Sequence, residues 1–351
     1  MAKLILNRLS KSFGGAKPAV DDVSITIREG GFLALLGPSG CGKTTVLRMI
    51  AGFEQPTDGS ILLGERVLAD AGSMVPPERR NMAMVFQSYA LWPHMTVADN
   101  AGYPLKVRGI SGERYHAKVA DALATVRLAA YADRRPSELS GGQRQRVALA
   151  RCLVTAPDVV LLDEPLANLD RHLRQEMEET FREFHATSGA TMVYVTHDQA
   201  EAMALATDVA VMSEGKLLQM AAPADLYARP EGKLVGGLVG QGAILSLTLS
   251  ETAPRSMDWS VLREVFIGNV STSLPGDVLV RPQDVIQDAE GIPCRVTTIL
   301  YEGERYALRL TLPDGQMLRA YSREPAAIGA LFPVIIRSAW RLSACRDARN
   351  G

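Results

Sequence analysis

The chain has 351 residues, 47% hydrophobic and 22% charged, an ordinary globular mixture that excludes bulk disorder, collagen and coiled coil. At about 150 residues per domain this length predicts two or three domains, long enough to bury full cores without staples. With 38 basic against 39 acidic residues the net charge is −1, so no global field favours nucleic acid or an anionic membrane, and only a local patch would serve such a partner.

In chain order, residues 1–8 lack the long apolar core of a secretory signal. Residues 23–27 alternate with period two, as a strand does. Phe32–Leu36 is a wholly apolar run ending in glycine, the pattern of a buried parallel strand. A helix is predicted from Lys43 to Ala51, stopped at Gly52. From about residue 97 to 139 the pattern is helical and no strong strand occurs, which predicts a helical insertion at about 88–157. Thr96 and Ser111 suit N-caps; only Thr96 has an acid, Asp99, three residues on. Apolar runs at 159–162, 192–195 and 209–212 predict further buried strands separated by helices. Repeated βαβ units of this kind imply an α/β fold with a mostly parallel sheet.

The run 234–250 is uncharged but carries four glycines and polar residues, short of the roughly 20 apolar residues of a membrane helix. A soluble or peripheral protein is expected, with any membrane association made through a partner. Texture then changes near Gly242. Short alternating strands at 278–281 and 306–312, with turns at Pro275-Gly276 and Asp314-Gly315, predict a small all-β, barrel-like domain over 243–351 beside a first domain over 1–240. Cys41, Cys152, Cys294 and Cys345 fit neither a disulfide framework nor a metal pattern, which favours a reducing compartment.

Chemistry concentrates before the texture change. Gly37-Pro38-Ser39-Gly40-Cys41-Gly42-Lys43-Thr44 fits the phosphate-loop pattern GxxxxGK[ST], which composition alone produces in about one chain in a hundred of this length. Its glycines let backbone N–H groups turn toward phosphate oxygens, and the following helix adds its positive dipole end. Lys43 would reach the β- and γ-phosphates and Thr44 would ligand Mg²⁺. A strand running into Asp163-Glu164-Pro165 delivers two acids at a carboxyl end, where α/β sheets bind ligands. Asp163 would hold Mg²⁺ and Glu164 would polarise the attacking water. Ser140-Gly141-Gly142-Gln143 reads either as an N-capped helix start or as a second phosphate cradle.

The order of these motifs resembles the ATP-binding subunit of ABC transporters over the first 240 residues. Ser140–Gln143 looks like the family signature, which binds the γ-phosphate of ATP held by the other subunit. Gln87, after Val85-Phe86, looks like the Q-loop glutamine, implied as a catalytic contact and a Mg²⁺ ligand. Residues 166–170, ending in Asp170, resemble the D-loop, with Ala167 where the family often has serine. His197 looks like the switch histidine and Phe13 the aromatic that stacks on adenine. Alone, Phe13 would read as core and His197 as a surface residue; their order in the chain favours the functional reading. The resemblance also brings Thr45 into the nucleotide site.

Val280-Arg281-Pro282-Gln283-Asp284, Gly303 to Leu312 and the ending around Trp340 are similar to the regulatory domains of maltose, polyamine and ferric-iron import ATPases, most of all the ferric-iron branch. The resemblance implies an ATP-hydrolysing importer subunit for ferric iron or a related small solute, with polyamine, thiamine, phosphonate or sugar as alternatives. It implies a head-to-tail homodimer at the cytoplasmic face of the inner membrane, bound to permease subunits and served indirectly by an extracytoplasmic binding protein, with no nucleic acid. The segment after Gln87, with Tyr89, Ala90, Leu91, Trp92 and Met95, is either insertion core or the border of a groove for a permease helix. Two rivals stand beside this reading: a soluble ABC-type ATPase acting on nucleic acid or ribosomes, and a β-domain binding module in which ATP acts only as a sensor.

Overall fold

A computed structural model describes residues 3–86, 88–167, 169–250, 252–267 and 273–343. Two compact units divide between Pro223 and Ala224. The first runs β1 (Leu4–Lys11), β2 (Val20–Ile27), β3 (Phe32–Leu36), α1 (Lys43–Ala51), β4 (Asp58–Leu63), β5 (Arg66–Asp70), β6 (Met82–Val85), α2 (Val97–Val107), α3 (Gly112–Thr125), α4 (Gly141–Leu153), β7 (Val159–Asp163), α5 (Arg171–Ser188), β8 (Thr191–Thr196), α6 (Gln199–Leu205), β9 (Asp208–Ser213) and β10 (Lys216–Ala221).

Six of these strands form a sheet in the order β10-β9-β3-β8-β7-β6. All pairs are parallel except β9 with β10. The apolar strands serve two cores at once, because successive side chains leave a strand on opposite faces. Leu33, Leu35, Val159, Leu161, Val193 and Val195 join α1 and the N-terminal strands. Phe32, Val160, Leu162, Met192 and Tyr194 join α2 to α5. Each buried side chain contributes about 1.5–3 kcal/mol, so continuous apolar runs pin both faces.

The expectation of one mostly parallel sheet leaves out a second one. Strands β2-β1-β4-β5 form a separate, wholly antiparallel sheet. The period-two pattern at 23–27 belongs to it, with Val23, Ile25 and Ile27 inward. The insertion holds α2, α3 and α4. Thr96 caps α2 by accepting from the Asp99 amide (3.1 Å), whereas Ser111 precedes α3 without a side-chain cap. Helix α1 ends at Gly52, whose φ of +88° is left-handed.

Arg80 is fully buried, and among the described residues it makes no ion pair with a carboxylate. Its guanidinium donates to Met49 O (2.8 Å) and Ile50 O (2.7 Å), the last carbonyls of α1, and to Leu68 O (3.1 Å) and Val75 O (2.7 Å). The negative helix end stands in for a counter-ion. Burial, with a smaller push from Arg66, lowers this guanidinium to about 10, still charged at neutral pH.

The second unit adds α7 (Pro223–Ala228), α8 (Gly232–Leu238), β11 (Ala243–Ser250), β12 (Ser256–Asp258), α9 (Trp259–Ile267), β13 (Ser273–Val280), β14 (Val285–Tyr301), β15 (Tyr306–Thr311), β16 (Met317–Ser322), β17 (Leu331–Ile336) and β18 (Ser338–Arg341). Two antiparallel sheets, β11-β13-β18-β12 and β16-β15-β14-β17, enclose its core, with α9 among the strands. Asp314-Gly315 turns the β15–β16 hairpin, Gly315 at φ +87°. Pro275-Gly276 makes no turn. It lies inside β13, where Gly276 pairs with Leu247 and a Cβ on it would come 2.7 Å from Leu249. The unit starts about twenty residues before the texture change because Arg281 holds α7 and α8 to it. Arg281 stacks on Tyr227 (4.1 Å) and donates to Tyr227 O (2.6 Å) and Val239 O.

Arg80→Met removes four hydrogen bonds from a charged donor while keeping side-chain length. Denaturant unfolding is expected to give a stability loss of about 3 kcal/mol or more. Arg80→Lys, which lacks the fork, is expected to rescue little. An unchanged midpoint for Arg80→Met contradicts this account of the α1 end.

Candidate active site

Three neighbouring strand ends build the site. Leu36 of β3 lies opposite Thr196 of β8, and Val195 of β8 lies opposite Asp163 of β7. The phosphate loop, His197 and Glu164 therefore emerge side by side from one sheet edge.

The loop from Gly37 to Thr44 is seated by close backbone approaches. A Cβ on Gly37 would sit 2.2 Å from Met212 O, and one on Gly42, at φ +102°, 2.4 Å from Ala19 O. No side chain fits either position. Pro38, Ser39 and Gly40 are exposed, Gly37, Cys41 and Lys43 buried, and Thr44 and Thr45 half-buried. Lys43 Nζ donates to Gly37 O (2.7 Å) and Pro38 O (3.0 Å), so the loop curls around its own ammonium. Helix α1 begins without a side-chain cap and with no acid in its first turn. Its free N–H groups and dipole suit an anion.

Thr44 Oγ1 donates to Asp163 Oδ1 at 3.3 Å. Burial pushes the Asp163 carboxyl above its ordinary value; the Thr44 hydrogen bond opposes this and the Glu164 charge adds to it. Both are oxygen donors of the kind a hard divalent cation takes, so the pair fits Mg²⁺. Gln87, the third expected donor, lies outside the described residues.

Glu164 breaks the strand. Its φ of +45° is left-handed, uncommon outside glycine, and its amide donates to Val195 O (3.0 Å). The turn brings Glu164 Oε2 to 3.4 Å from His197 Nδ1. His197 remains more than half exposed, at 55%. Phe13, which alone would read as core, is 63% exposed, with Lys11 Nζ 4.9 Å from its ring centre.

Ser140 makes a reciprocal cap with Gln143: its hydroxyl accepts from the Gln143 amide (3.3 Å) while its own amide donates to Gln143 Oε1 (2.9 Å). Gly141 and Gly142 open α4 against Leu169 and Leu173; a Cβ on Gly142 would meet Leu173 at 2.5 Å. Asp170 caps α5 by accepting from the Leu173 amide (3.0 Å). Thus the structure brings the phosphate loop together with Asp163, Glu164 and His197, and brings Ser140–Gln143 to Asp170, as two groups. In the segment after Gln87, Tyr89 and Leu91 pack on the helical core, Trp92 stacks on Tyr103 (4.2 Å), and Arg151 donates to Tyr89 O (2.7 Å) and Ala90 O (2.6 Å).

Sequence reasoning missed three residues around these groups. Gln145, fully buried, donates to Pro165 O (3.0 Å) and ties α4 to the Asp163-Glu164 turn. Glu201, 3% exposed, and Arg174 flank the His197 turn. A glutamine on an otherwise apolar helix face was the available signal for the first. For Glu201 it was an acid three residues after the capping Asp198, a spacing that ordinarily marks an exposed helix start.

Residues 20–167 match the ABC transporter family. The chain is 41% identical to the spermidine/putrescine import ATP-binding protein PotA 2 of Pseudomonas aeruginosa, over 97% of both chains. It is 42% identical to the Fe(3+) ions import ATP-binding protein FbpC 1 of Haemophilus influenzae, over 86% of this chain and 91% of that one. Among solved structures it resembles cbiO1 of Clostridium perfringens, part of the ABC transporter complex cbiONQ, at TM-score 0.60 and 27% identity over 64% of this chain and 90% of that one. It also resembles a dimeric ATP-binding cassette, MJ0796, in a post-hydrolysis state bound to ADP and Pi, at TM-score 0.55 and 28% identity over 63% of this chain and 98% of that one. Matched at such identity along nearly its whole length, the chain belongs to the ATP-binding subunits of import-type ABC transporters.

Proposed function

We propose that this chain hydrolyses ATP between two copies of itself to drive import of ferric iron or a related small solute through a membrane permease. The observation that carries the hydrolytic part is the shared sheet edge: phosphate loop, Glu164 and His197 leave adjacent parallel strands in one register.

Lys43, turning from its loop carbonyls, and the N–H groups opening α1 hold the β- and γ-phosphates. Phe13 offers an exposed ring to the adenine. Glu164, fixed by its strained turn, accepts a hydrogen bond from the attacking water and aligns it. His197 donates to the γ-phosphate while its Nδ1 faces Glu164. Thr44 and Asp163 hold Mg²⁺, with Gln87 as the further donor; when bound, the ion offsets phosphate charge.

The chain carries one phosphate loop and one Ser140–Gln143 cap. In a head-to-tail pair each copy lends its α4 start, with Asp170 beside it, to the nucleotide on the other, so one surface is used twice. The similar cassette solved as a dimer supports this arrangement. No helix among the described residues is long and apolar enough to cross a membrane, which fits a peripheral subunit at the cytoplasmic face, held by permease contact and served indirectly by an extracytoplasmic binding protein. Ferric iron follows the C-terminal sequence pattern and the FbpC 1 similarity. Polyamine is the second reading, favoured by the full-length match to PotA 2.

Lys43→Ala is expected to weaken ATP binding by about 10–100-fold, the worth of a charge-assisted hydrogen bond, and hydrolysis with it. Near-normal ATPase in that variant contradicts the phosphate-loop assignment. Glu164→Gln keeps shape but not charge, so ATP still binds while turnover falls by about 100-fold or more. Gel filtration of that variant with ATP and Mg²⁺ is expected to give a dimer; a monomer contradicts the head-to-tail pair. For the cargo, the reconstituted permease complex is expected to raise its ATPase rate with a ferric-loaded binding protein. A response to a polyamine-loaded one alone establishes the second reading.

A further inference from the structure

Arg174 sits four residues after the helix cap Asp170, on α5, with its side chain 32% exposed. Its guanidinium reaches three partners in different directions. Nη2 donates to Leu169 O (3.3 Å), the carbonyl just before Asp170. Nη1 donates to Asp198 Oδ2 (3.0 Å), the residue just after His197. Nε, which makes no hydrogen bond, lies 3.7 Å from Glu201 Oε1.

Those acceptors form one network around His197. Glu201 is nearly fully buried, and its Oε2 accepts from Tyr194 (2.7 Å) and Thr196 (2.7 Å), both on β8, which ends just before His197. Thr196 Oγ1 in turn accepts from the Asp198 amide (2.9 Å). The residues on either side of His197 are therefore fixed in the same network as Glu201. Burial, with the charge of Glu201 next, raises Glu178 nearby, and Arg182 and then Arg174 oppose this. The same end of α5 carries Leu173, against Gly142, and the Asp170 cap.

We propose that Arg174 is a positioning residue that ties the loop ending at Asp170 to the turn bearing His197, so that a shift of one moves the other. This role rests on the hydrolytic reading above. Leu169 O is backbone and Glu201 is buried, while Asp198, 29% exposed, is itself held by the Thr196 hydroxyl through its amide, so the helix end and the turn share one set of contacts. Seating of the Ser140–Gln143 and Asp170 surfaces is then felt at the γ-phosphate through Arg174. Lysine cannot do the same work: a single ammonium neutralises the acids but cannot hold Leu169 O and Asp198 together in a planar fork.

The test separates the tie from mere charge balance, in the full-length chain with ATP and Mg²⁺. Arg174→Ala is expected to lower kcat by about 3–30-fold, with a lower Tm. Arg174→Lys is expected to regain the Tm but not kcat, with KM for ATP within about twofold of the starting protein. Adding Arg174→Lys to His197→Ala is expected to slow that variant no further, since the effect acts through His197. Arg174→Lys at full turnover, or a multiplicative loss in the double variant, overturns the proposal while leaving the hydrolytic reading intact. His197→Ala at full turnover overturns that reading and this proposal together.

Discussion

The register of three parallel strands is the constraint on which the site depends. With Leu36 opposite Thr196 and Val195 opposite Asp163, the chain must turn out of the sheet at Gly37, Glu164 and His197 in adjacent positions. A slip of one residue would exchange the two faces of a strand. Here neither face tolerates that exchange, because Leu33, Leu161 and Val193 fill one core and Phe32, Leu162 and Tyr194 the other. The apolar runs therefore do more than bury area: they hold these three turns in step.

Several polar groups buried in this frame support the elements that carry the site. Lys43, Arg80, Gln145 and Glu201 are all nearly inaccessible, and each has hydrogen-bond partners on an element that leads into the site. Arg80 anchors the far end of the helix whose near end opens the phosphate loop. Gln145 fastens the Ser140–Gln143 helix to the Glu164 turn. An unmet buried donor or charge is costly, so each contact restricts the arrangements open to the turn beside it.

Much of the first unit was legible because its signals are local. Apolar runs identified β3, β7, β8 and β9. Gly52 stopped α1, Thr96 capped α2, and the phosphate loop was read from eight consecutive residues. What escaped depends on distant partners. The antiparallel sheet needs Leu4 to meet both Ile27 and Leu63, which no period reveals. Pro275-Gly276 has turn composition, yet the glycine sits in a strand because the Leu249 side chain fills its place. Arg174 and Glu201 carry no local signal of their partners, because only the tertiary fold shows what meets them.

The second unit gives the same lesson about a motif. Val280-Arg281-Pro282-Gln283-Asp284 was read as a mark of resemblance, with no physical role attached. In the structure its arginine is buried, stacked on Tyr227 and donating to Tyr227 O and Val239 O. Its partners lie in the residues from Ala224 to Gly242, which composition grouped with the first domain. A buried guanidinium whose two terminal nitrogens donate to backbone carbonyls of the preceding helices fixes where the unit begins more firmly than a change of texture can. Arg281 commits both terminal nitrogens to carbonyls inside the fold, as Arg80 commits its guanidinium in the first unit. In both, a buried guanidinium donates to backbone carbonyls, and the segments offering those carbonyls are held together by it.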